Sequence, residues 1–251
     1  IGVAMGITGT DVTKEVSDMV VTDDNFASIV SAVEEGRGIY DNILKFVHYL
    51  LSCNAGEILV MFLASLVGMP VPLLPIHILW VNLVTDGLPA LALGVDPVDP
   101  KIMGRKPRDP DEAVVGKKNG IVMVAQGFFI ALCTLAAFCF VYYYEHESLN
   151  QARTAAFMVL SCSQLFHAFN CRSATVSLFK LGVFSNMKLV LAVLVSFVLQ
   201  VVVTNHLPFS HAVFKTLDLT LQDWTVIILV SSFPLWAMEI VKFVRQFRIK
   251  A

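Results

Sequence analysis

Six apolar stretches, each long enough to cross a membrane as a helix, constrain this chain more than any other feature of its sequence. They cover residues 44–67, 72–93, 121–144, 154–171, 189–204 and 225–241. A hydrocarbon core of about 30 Å is crossed by roughly 20 apolar residues in helical form. Helices also satisfy all of their own backbone hydrogen bonds in lipid. The sequence therefore predicts an all-α transmembrane bundle of six spanning helices.

The composition agrees with a chain whose solvent is mostly lipid. Of its 251 residues, 56% are apolar and 15% are charged, and the mean hydropathy is +0.71. These values exclude an ordinary soluble domain of this length. The net charge of −2 gives no indication of nucleic-acid binding, so we expect the lipid bilayer as a partner and no nucleic acid.

The positive charges are distributed unevenly about the six predicted spans. If successive spans cross the membrane in alternating directions, 16 of the 18 Lys and Arg residues fall on one side, and only Arg153 and Lys215 fall on the other. By the positive-inside rule, the richer side is cytoplasmic. The sequence therefore predicts a multi-pass membrane protein with both termini in the cytoplasm.

Oxygen-bearing side chains occupy the middle of the first two stretches. Asn54 and Glu57 stand at positions i and i+3, and Asn82, Thr85 and Asp86 stand at i, i+3 and i+4. Each set therefore lies on one face of its helix. A carboxylate at mid-membrane costs about 2.5 to 3.5 kcal/mol on insertion scales, so two of them indicate a functional site.

Calcium is the ion that this set of side chains suits best, because calcium takes six to eight oxygen ligands from carboxylates and neutral groups. Gly87 and Pro89 should weaken the helix just after Asp86, as is expected at an ion site. For Asn54 or Thr85 alone, and for Gln164 through Ser161 or Ser163, a hydrogen bond between helices is an open alternative. The predicted metal ligands are Asn54, Glu57, Asn82, Thr85, Asp86 and Gln164.

Other polar and sulfur-containing side chains are interpreted as structural. His167 is interpreted as a packed histidine because calcium prefers oxygen. The connection over residues 95–119 carries mixed charges and is expected to be solvated, and the Lys242 to Lys250 cluster is expected to anchor a helix end at the lipid headgroups. Five cysteines are interpreted as small apolar packing residues: Cys53, Cys133, Cys139, Cys162 and Cys171.

The first 35 residues follow a different pattern. Residues 1–5 and 19–21 predict two strands, and Thr10 or Asp11 can cap a short helix between them. Two strands and one helix cannot bury a core of their own. We therefore interpret residues 1–35 as a C-terminal remnant of a cytoplasmic α/β, Rossmann-like domain with the start of a stalk, and residues 36–251 as the membrane domain.

Four segments carry a resemblance to a known family. They read IGVAMGITGTDVTKEVSDMVVTDDNF, EEGRGIYDNILKF, LSCNAGE and LWVNLVTDGLPALALG. Together they resemble the C-terminal third of P-type calcium-transporting ATPases, closest to the reticulum-type branch. The short connection over residues 144–153 points to a bacterial member, for which the plasma membrane is the expected location.

The resemblance implies an enzyme, namely an ATP-driven pump that exports calcium with proton countertransport. It implies that the N-terminal remnant is part of the phosphorylation domain. ATP and magnesium would bind in a missing N-terminal part of the same pump, because no DKTG or TGDGxND motif is present here. The chain would then contain no catalytic residue and would be inactive alone.

The family's calcium ligands can be carried over to matching positions. Asn54, Glu57, Thr85 and Asp86 match one calcium site, and Asn82 and Asp86 match the other. Gln164 stands where reticulum-type pumps carry an acidic ligand, which leaves one or two ions per cycle open. A P-type pump for manganese or another divalent cation and a passive, channel-like six-span module are the alternatives.

Overall fold

The computed structural model describes residues 1–108, 113–205 and 208–250, and helices dominate it. The chain divides into two compact units. The first consists of Ile1–Asp41 with Pro97–Pro110, and the second of Asn42–Asp96 with Asp111–Ala251. Helix α2 (Phe26–Leu66) contributes residues to both units.

The first unit contains the two predicted strands and the predicted short helix. Strands β1 (Val3–Met5) and β2 (Met19–Val21) pair in parallel, with Ala4 opposite Val20. Helix α1 (Asp11–Val16) lies between them in sequence, and the Thr10 side chain caps it by accepting a hydrogen bond from the Thr13 amide. These local predictions are confirmed, because strand pattern and capping chemistry act over a few residues.

The loop after β1 is held by a carboxylate from the segment after β2. Asp24 accepts hydrogen bonds from the backbone amides of Ile7 and Thr8 and from the Thr8 hydroxyl, at 2.7–2.8 Å. The Ile7 amide bond is the main cause that holds the pKa of Asp24 below its ordinary value. Asp24 therefore stabilises this loop as a carboxylate.

The second unit is a helical bundle. Four of its helices are long: the later part of α2, α5 (Lys117–Cys139), α6 (Leu149–Asn170) and α10 (Leu221–Lys250). Helix α8 (Met187–Asn205) is of intermediate length, and two π-helical turns occur, at Val81–Thr85 and Phe140–Tyr144. The shorter helices are α3 (Pro75–Trp80), α4 (Gly87–Leu93), α7 (Leu178–Leu181) and α9 (Pro208–Phe214).

Five of the six predicted spans correspond to helical segments that are long and apolar enough to cross a membrane. The described residues give Phe26–Leu66, Pro75–Leu93, Asn119–Tyr144, Met187–Asn205 and Leu221–Arg245. The predicted fourth span falls on α6, which is not among these five. Serine, glutamine, histidine and asparagine lower the apolar content of α6, so the count of six spans is not confirmed by length and composition.

Helix α6 lies at the centre of the second unit. It packs against α5, α8 and α10, and most of its residues are buried, including Phe157, Met158 and Leu160. Its polar side chains at Ser161 and Gln164 are also buried. The polar face of α6 is therefore directed at protein and not at lipid.

Helices α2 and α5 approach each other through two glycines, Gly56 and Gly127. A Cβ atom placed on Gly127 would lie 2.7 Å from the backbone oxygen of Ser52, well inside contact distance. Such backbone proximity is typical of small residues at helix contacts in membranes. Because Gly56 adjoins Glu57, this contact fixes the part of α2 that carries the acid.

Two sequence-based expectations about charged residues are wrong. Asp96 was expected in a solvated connection, but it is 5% exposed and accepts bonds from Arg172 and Lys45. Lys242 was expected at the headgroups, but it is 1% exposed and pairs with Glu239 at 2.9 Å. Asp96 pairs with a residue 76 positions away, which the local sequence gives no reason to expect. Glu239 and Lys242 stand at i and i+3 on one helix, so their spacing alone allows the pair.

Candidate cation site

The carboxylate of Glu57 is the centre of a polar cluster in the second unit. Glu57 lies on α2 and is 4% exposed. Its Oε1 accepts a 3.0 Å hydrogen bond from Nε2 of Gln164 on α6, and its Oε2 accepts a 2.8 Å bond from Nδ2 of Asn82 in the π-helical turn. The structure therefore brings together three predicted ligands from three segments that are distant in sequence.

Asp86 contributes a second buried carboxylate. It is fully buried, and its Oδ1 accepts a 3.1 Å hydrogen bond from the Tyr49 hydroxyl. Among the described residues, no hydrogen-bond partner reaches Oδ2 of Asp86, Oγ1 of Thr85 or Oε1 of Gln164, all of which are buried. A buried oxygen without a partner costs about 1 to 3 kcal/mol. A cation bound here would compensate these oxygens.

The two acids also lack a positive partner. The ion pairs found in the described part of the chain join other residues, and no Lys or Arg there pairs with Glu57 or Asp86. Buried carboxylates in a low-dielectric interior need a countercharge or protonation. Glu57 and Asp86 together therefore suit a divalent cation.

Asn54 is not joined to this cluster by a hydrogen bond within the described residues. Its Nδ2 donates to the backbone oxygen of Leu50 in the same helix at 2.8 Å, and the side chain is half-buried. Its predicted role as a ligand thus stays a prediction. For Gln164, no bond with Ser161 or Ser163 is found among the described residues, and its amide donates to Glu57 on α2, which is itself a bond between helices.

The predicted weakening of the helix beside Asp86 is found one turn earlier than expected. The Asp86 amide donates to the Val81 oxygen at 2.9 Å, an i to i+5 bond that defines a π-helical turn. Pro89 has no N–H, and its ring conflicts with the Thr85 carbonyl that an α-helix would place against it. The turn over Val81–Thr85 widens the helix where Asn82 and Thr85 lie.

A second cluster of potential ligands was missed by the sequence analysis. Ligand atoms of His48 on α2 and of His167 and Cys171 at α6 all lie within 4.8 Å of one another. His167 and Cys171 are buried, and His48 is half-buried. The i, i+4 spacing of His167 and Cys171 is a signal that the sequence contains, but His48 is more than a hundred residues away and gives none.

Comparisons with known proteins identify relatives over most of the chain. Residues 70–244 match the family described as "Cation transporting ATPase, C-terminus". The "Calcium-transporting ATPase" of Bacillus subtilis is 52% identical over 234 residues, which cover 93% of this chain and 26% of that protein. The "Calcium-transporting ATPase 1" of Bacillus cereus is 48% identical over 263 residues, covering 98% of this chain and 29% of that protein.

A fungal relative is more distant. The "Endoplasmic reticulum calcium ATPase srcA" of Aspergillus fumigatus is 36% identical over 276 residues, which cover 98% of this chain and 28% of that protein. The chain therefore spans between a quarter and a third of the length of these curated relatives.

Proposed function

This chain belongs to the family of cation-transporting ATPase C-termini, and we propose that it is the membrane portion of an ATP-driven P-type pump that exports calcium. The family match confirms the resemblance noted in the sequence. The names of the bacterial and fungal relatives support calcium as the transported ion. The observation that carries the proposal is the pair of buried acids, Glu57 and Asp86, without a positive partner in the described residues.

The proposed ligands offer the chemistry that calcium requires. Glu57 and Asp86 supply two negative charges, and neutral oxygens come from amides and a hydroxyl. Together the six side chains hold roughly eight oxygen atoms, within the six to eight that calcium takes. The full set is Asn54, Glu57, Asn82, Thr85, Asp86 and Gln164.

Two amides can serve both the carboxylate and the ion. Asn82 and Gln164 each direct an NH₂ group at Glu57, which accepts on both oxygens. Rotation of either amide group by half a turn exchanges its nitrogen for its oxygen. We propose that these rotations turn the amides from donors to Glu57 into ligands of calcium when the ion enters.

Proton countertransport is the second part of the proposed mechanism. When calcium leaves, Glu57 and Asp86 would be left in a site where no Lys or Arg of the described residues pairs with them. Protonation of these carboxyl groups removes their charge, so protons carried in the opposite direction limit the imbalance. Each acid would thus alternate between a calcium-bound carboxylate and a neutral carboxylic acid.

The first unit fits the edge of a larger cytoplasmic domain. Apolar side chains on and around α1 are exposed, with Ile7 at 72%, Val12 at 69% and Val16 at 79%. Further protein would bury this surface, so we propose that residues 1–35 complete a Rossmann-like phosphorylation domain. ATP and magnesium would bind in that part of the pump, and residues 36–251 would form the membrane domain.

We further propose that α6 is a sixth spanning helix. Its 22 residues extend about 33 Å, which matches a hydrocarbon core of about 30 Å. Most of its polar residues, from Thr154 to Asn170, are buried against other helices and so would meet no lipid. Six spans and the distribution of Lys and Arg support a protein with both termini in the cytoplasm, located in the plasma membrane if the source is bacterial.

Calcium uptake tests the proposal directly. The full-length pump in inside-out vesicles should accumulate calcium-45 when ATP is added, and Glu57→Gln should abolish this uptake because it removes a charged ligand. Glu147→Gln is the matched control, since it makes the same change at an exposed position. Wild-type uptake by the Glu57→Gln variant would refute the proposed site.

The same assay separates the alternatives. ATP-driven uptake of manganese in preference to calcium would favour a manganese pump. Calcium flux down its gradient without ATP would favour a passive, channel-like module. Uptake that requires ATP and is selective for calcium would support the proposal.

A further inference from the structure

A cluster of two imidazoles and a thiol lies next to the proposed calcium site. Its members are His48 on α2, His167 on α6 and Cys171 at the end of α6. Their ligand atoms lie within 4.8 Å of one another. The cluster is separate from the six predicted calcium ligands. Tyr49, whose hydroxyl donates a hydrogen bond to Asp86, stacks on His167 with the ring centroids 6.2 Å apart.

The distances suit a tetrahedral metal ion. Nε2 of His167 lies 3.3 Å from Sγ of Cys171. Zinc bonds of about 2.0–2.1 Å to nitrogen and about 2.3 Å to sulfur imply a separation of about 3.5 Å between two ligands of one tetrahedron. The other separations, of up to 4.8 Å, would have to shorten for all three groups to bind one metal ion.

The present hydrogen bonds leave a nitrogen of His167 unsatisfied. The Ser52 hydroxyl lies 2.8 Å from Nε2 of His167, and it also lies within 3 Å of two backbone oxygens, those of His48 and Tyr49. Nδ1 of His167 is buried and has no partner among the described residues. A metal ion bound through Nδ1 would give this nitrogen a partner, whereas one bound through Nε2 would replace only the contact with Ser52.

The chemical class of the ligand follows from the atoms. Calcium and magnesium prefer oxygen, whereas imidazole and thiolate together select zinc and similar metals. The side-chain oxygen of Gln126 contacts Nε2 of His48, and the hydroxyl of Ser52 contacts Nε2 of His167. Either oxygen could serve as a fourth metal ligand or as a hydrogen-bond partner of a ligating ring.

We propose that His48, His167 and Cys171 bind a zinc ion that joins α2 to α6 and inhibits the pump. Binding would form two Zn–N bonds and one Zn–S bond, and the thiol proton would be released to solvent. His48 is half-buried, so the ion would enter past it. Because α2 carries Glu57 and α6 carries Gln164, the ion would hold the two sides of the calcium site at a fixed separation.

Cobalt is a suitable probe of the site, because cobalt bound by a thiolate has a charge-transfer absorption band. The purified full-length protein should bind Co²⁺ with this band, and Zn²⁺ but not Ca²⁺ should displace it. Cys171→Ser should abolish the band. His48→Gln, at the half-buried position, should weaken binding by about 100-fold or more.

Cys162→Ser is the matched control, because Cys162 is a buried cysteine on the same helix outside the cluster. It should leave the cobalt band unchanged. Absence of the band in the wild-type protein, or its persistence in Cys171→Ser, would overturn the proposed site.

Inhibition depends on the proposed function and is measured separately. Zinc should inhibit ATP-driven calcium uptake by the wild-type pump, and Cys171→Ser should relieve this inhibition by at least about tenfold in zinc concentration. Zinc binding without inhibition would overturn the inhibitory role but keep the site. A protein that binds zinc but transports no calcium under any condition would refute the proposed function alone.

Discussion

Asp86 and Asp96 are buried acids only ten residues apart, yet the protein treats them in opposite ways. Asp96 pairs with Arg172 at 3.0 Å and with Lys45 at 2.8 Å, and it accepts a 2.7 Å bond from Asn186. Asp86 accepts one bond, from the neutral Tyr49 hydroxyl, among the described residues. The protein itself supplies the countercharge at Asp96, whereas at Asp86 it leaves that role to something else.

If Asp86 binds calcium as we propose, the difference separates a structural acid from an ion-binding one. Asp96 joins α2, the end of α4, α6 and the start of α8, so its charge is used to hold helices together. An acid with a fixed countercharge could not release and rebind an ion. The comparison therefore predicts that the two acids respond oppositely to neutralising substitutions.

The largest effect is expected where the fixed pair is broken. Arg172→Met should destabilise the protein by about 3 to 5 kcal/mol, because it removes one of two cations from the buried Asp96 carboxylate. Thermal denaturation in detergent measures this loss. A change below about 1 kcal/mol would mean that Lys45 and Asn186 suffice, and the contrast with Asp86 would weaken.

A smaller effect, of a different kind, is expected at Asp86. Wild-type protein at a calcium concentration of 100 times Kd should gain about 2.7 kcal/mol of stability over calcium-free protein. Asp86→Asn should lose this gain and should be at least as stable as wild type without calcium, because it no longer buries a charge. Strong destabilisation without calcium would show that Asp86 is structural, as Asp96 is.

Gln164→Glu sharpens the comparison by adding a third acid beside Glu57. The hydrogen bond from the Gln164 amide to Glu57 is lost, and two carboxylates face each other. The free energy of unfolding without calcium should therefore fall by about 2 kcal/mol. Calcium should restore it. Binding of calcium-45 would show one ion in the wild type and a rise towards two in the variant, and two ions already in the wild type would mean that the neutral amide suffices.

The smallest effect is expected at a partly exposed acid of the first unit. Asp41 pairs with Arg105 at 2.6 Å, but the Arg105 side chain is 48% exposed and also pairs with Asp99. Asp41→Asn should cost only about 0.2 to 1 kcal/mol, less at high salt. Thermal denaturation at low and high salt measures this cost. Loss of a buried pair such as Arg172 with Asp96 should instead cost nearly the same free energy at both salt concentrations.

Sequence reasoning succeeded where the signal is local. The strands at 3–5 and 19–21, the Thr10 cap and five apolar spans depend on patterns of a few to twenty residues. The meeting of Glu57, Asn82 and Gln164 was also predicted, because ionisable groups in lipid-facing stretches must turn inwards towards each other.

The failures are contacts between distant parts of the chain. Asp96 and Arg172 are 76 residues apart, and no periodicity links them. Residues 154–171 were predicted as a span, but α6 is not among the five sufficiently apolar helices, because other helices surround it and it carries polar side chains that find protein partners. The grouping of His48 with His167 and Cys171 likewise depends on how α2 packs on α6.

The π-helical turn at Val81–Thr85 means that the site depends on a count of residues as well as on their identities. Each residue of an α-helix turns the chain by about 100°, and the i to i+5 bond of this turn accommodates one extra residue. Deletion of Leu83 would restore a regular helix and rotate Asn82 by about 100° relative to Asp86. All six proposed ligand side chains would remain, so a sequence comparison by residue type alone would score the site as intact. Insertions and deletions here are therefore a route by which relatives could lose or change ion selectivity without a single substitution.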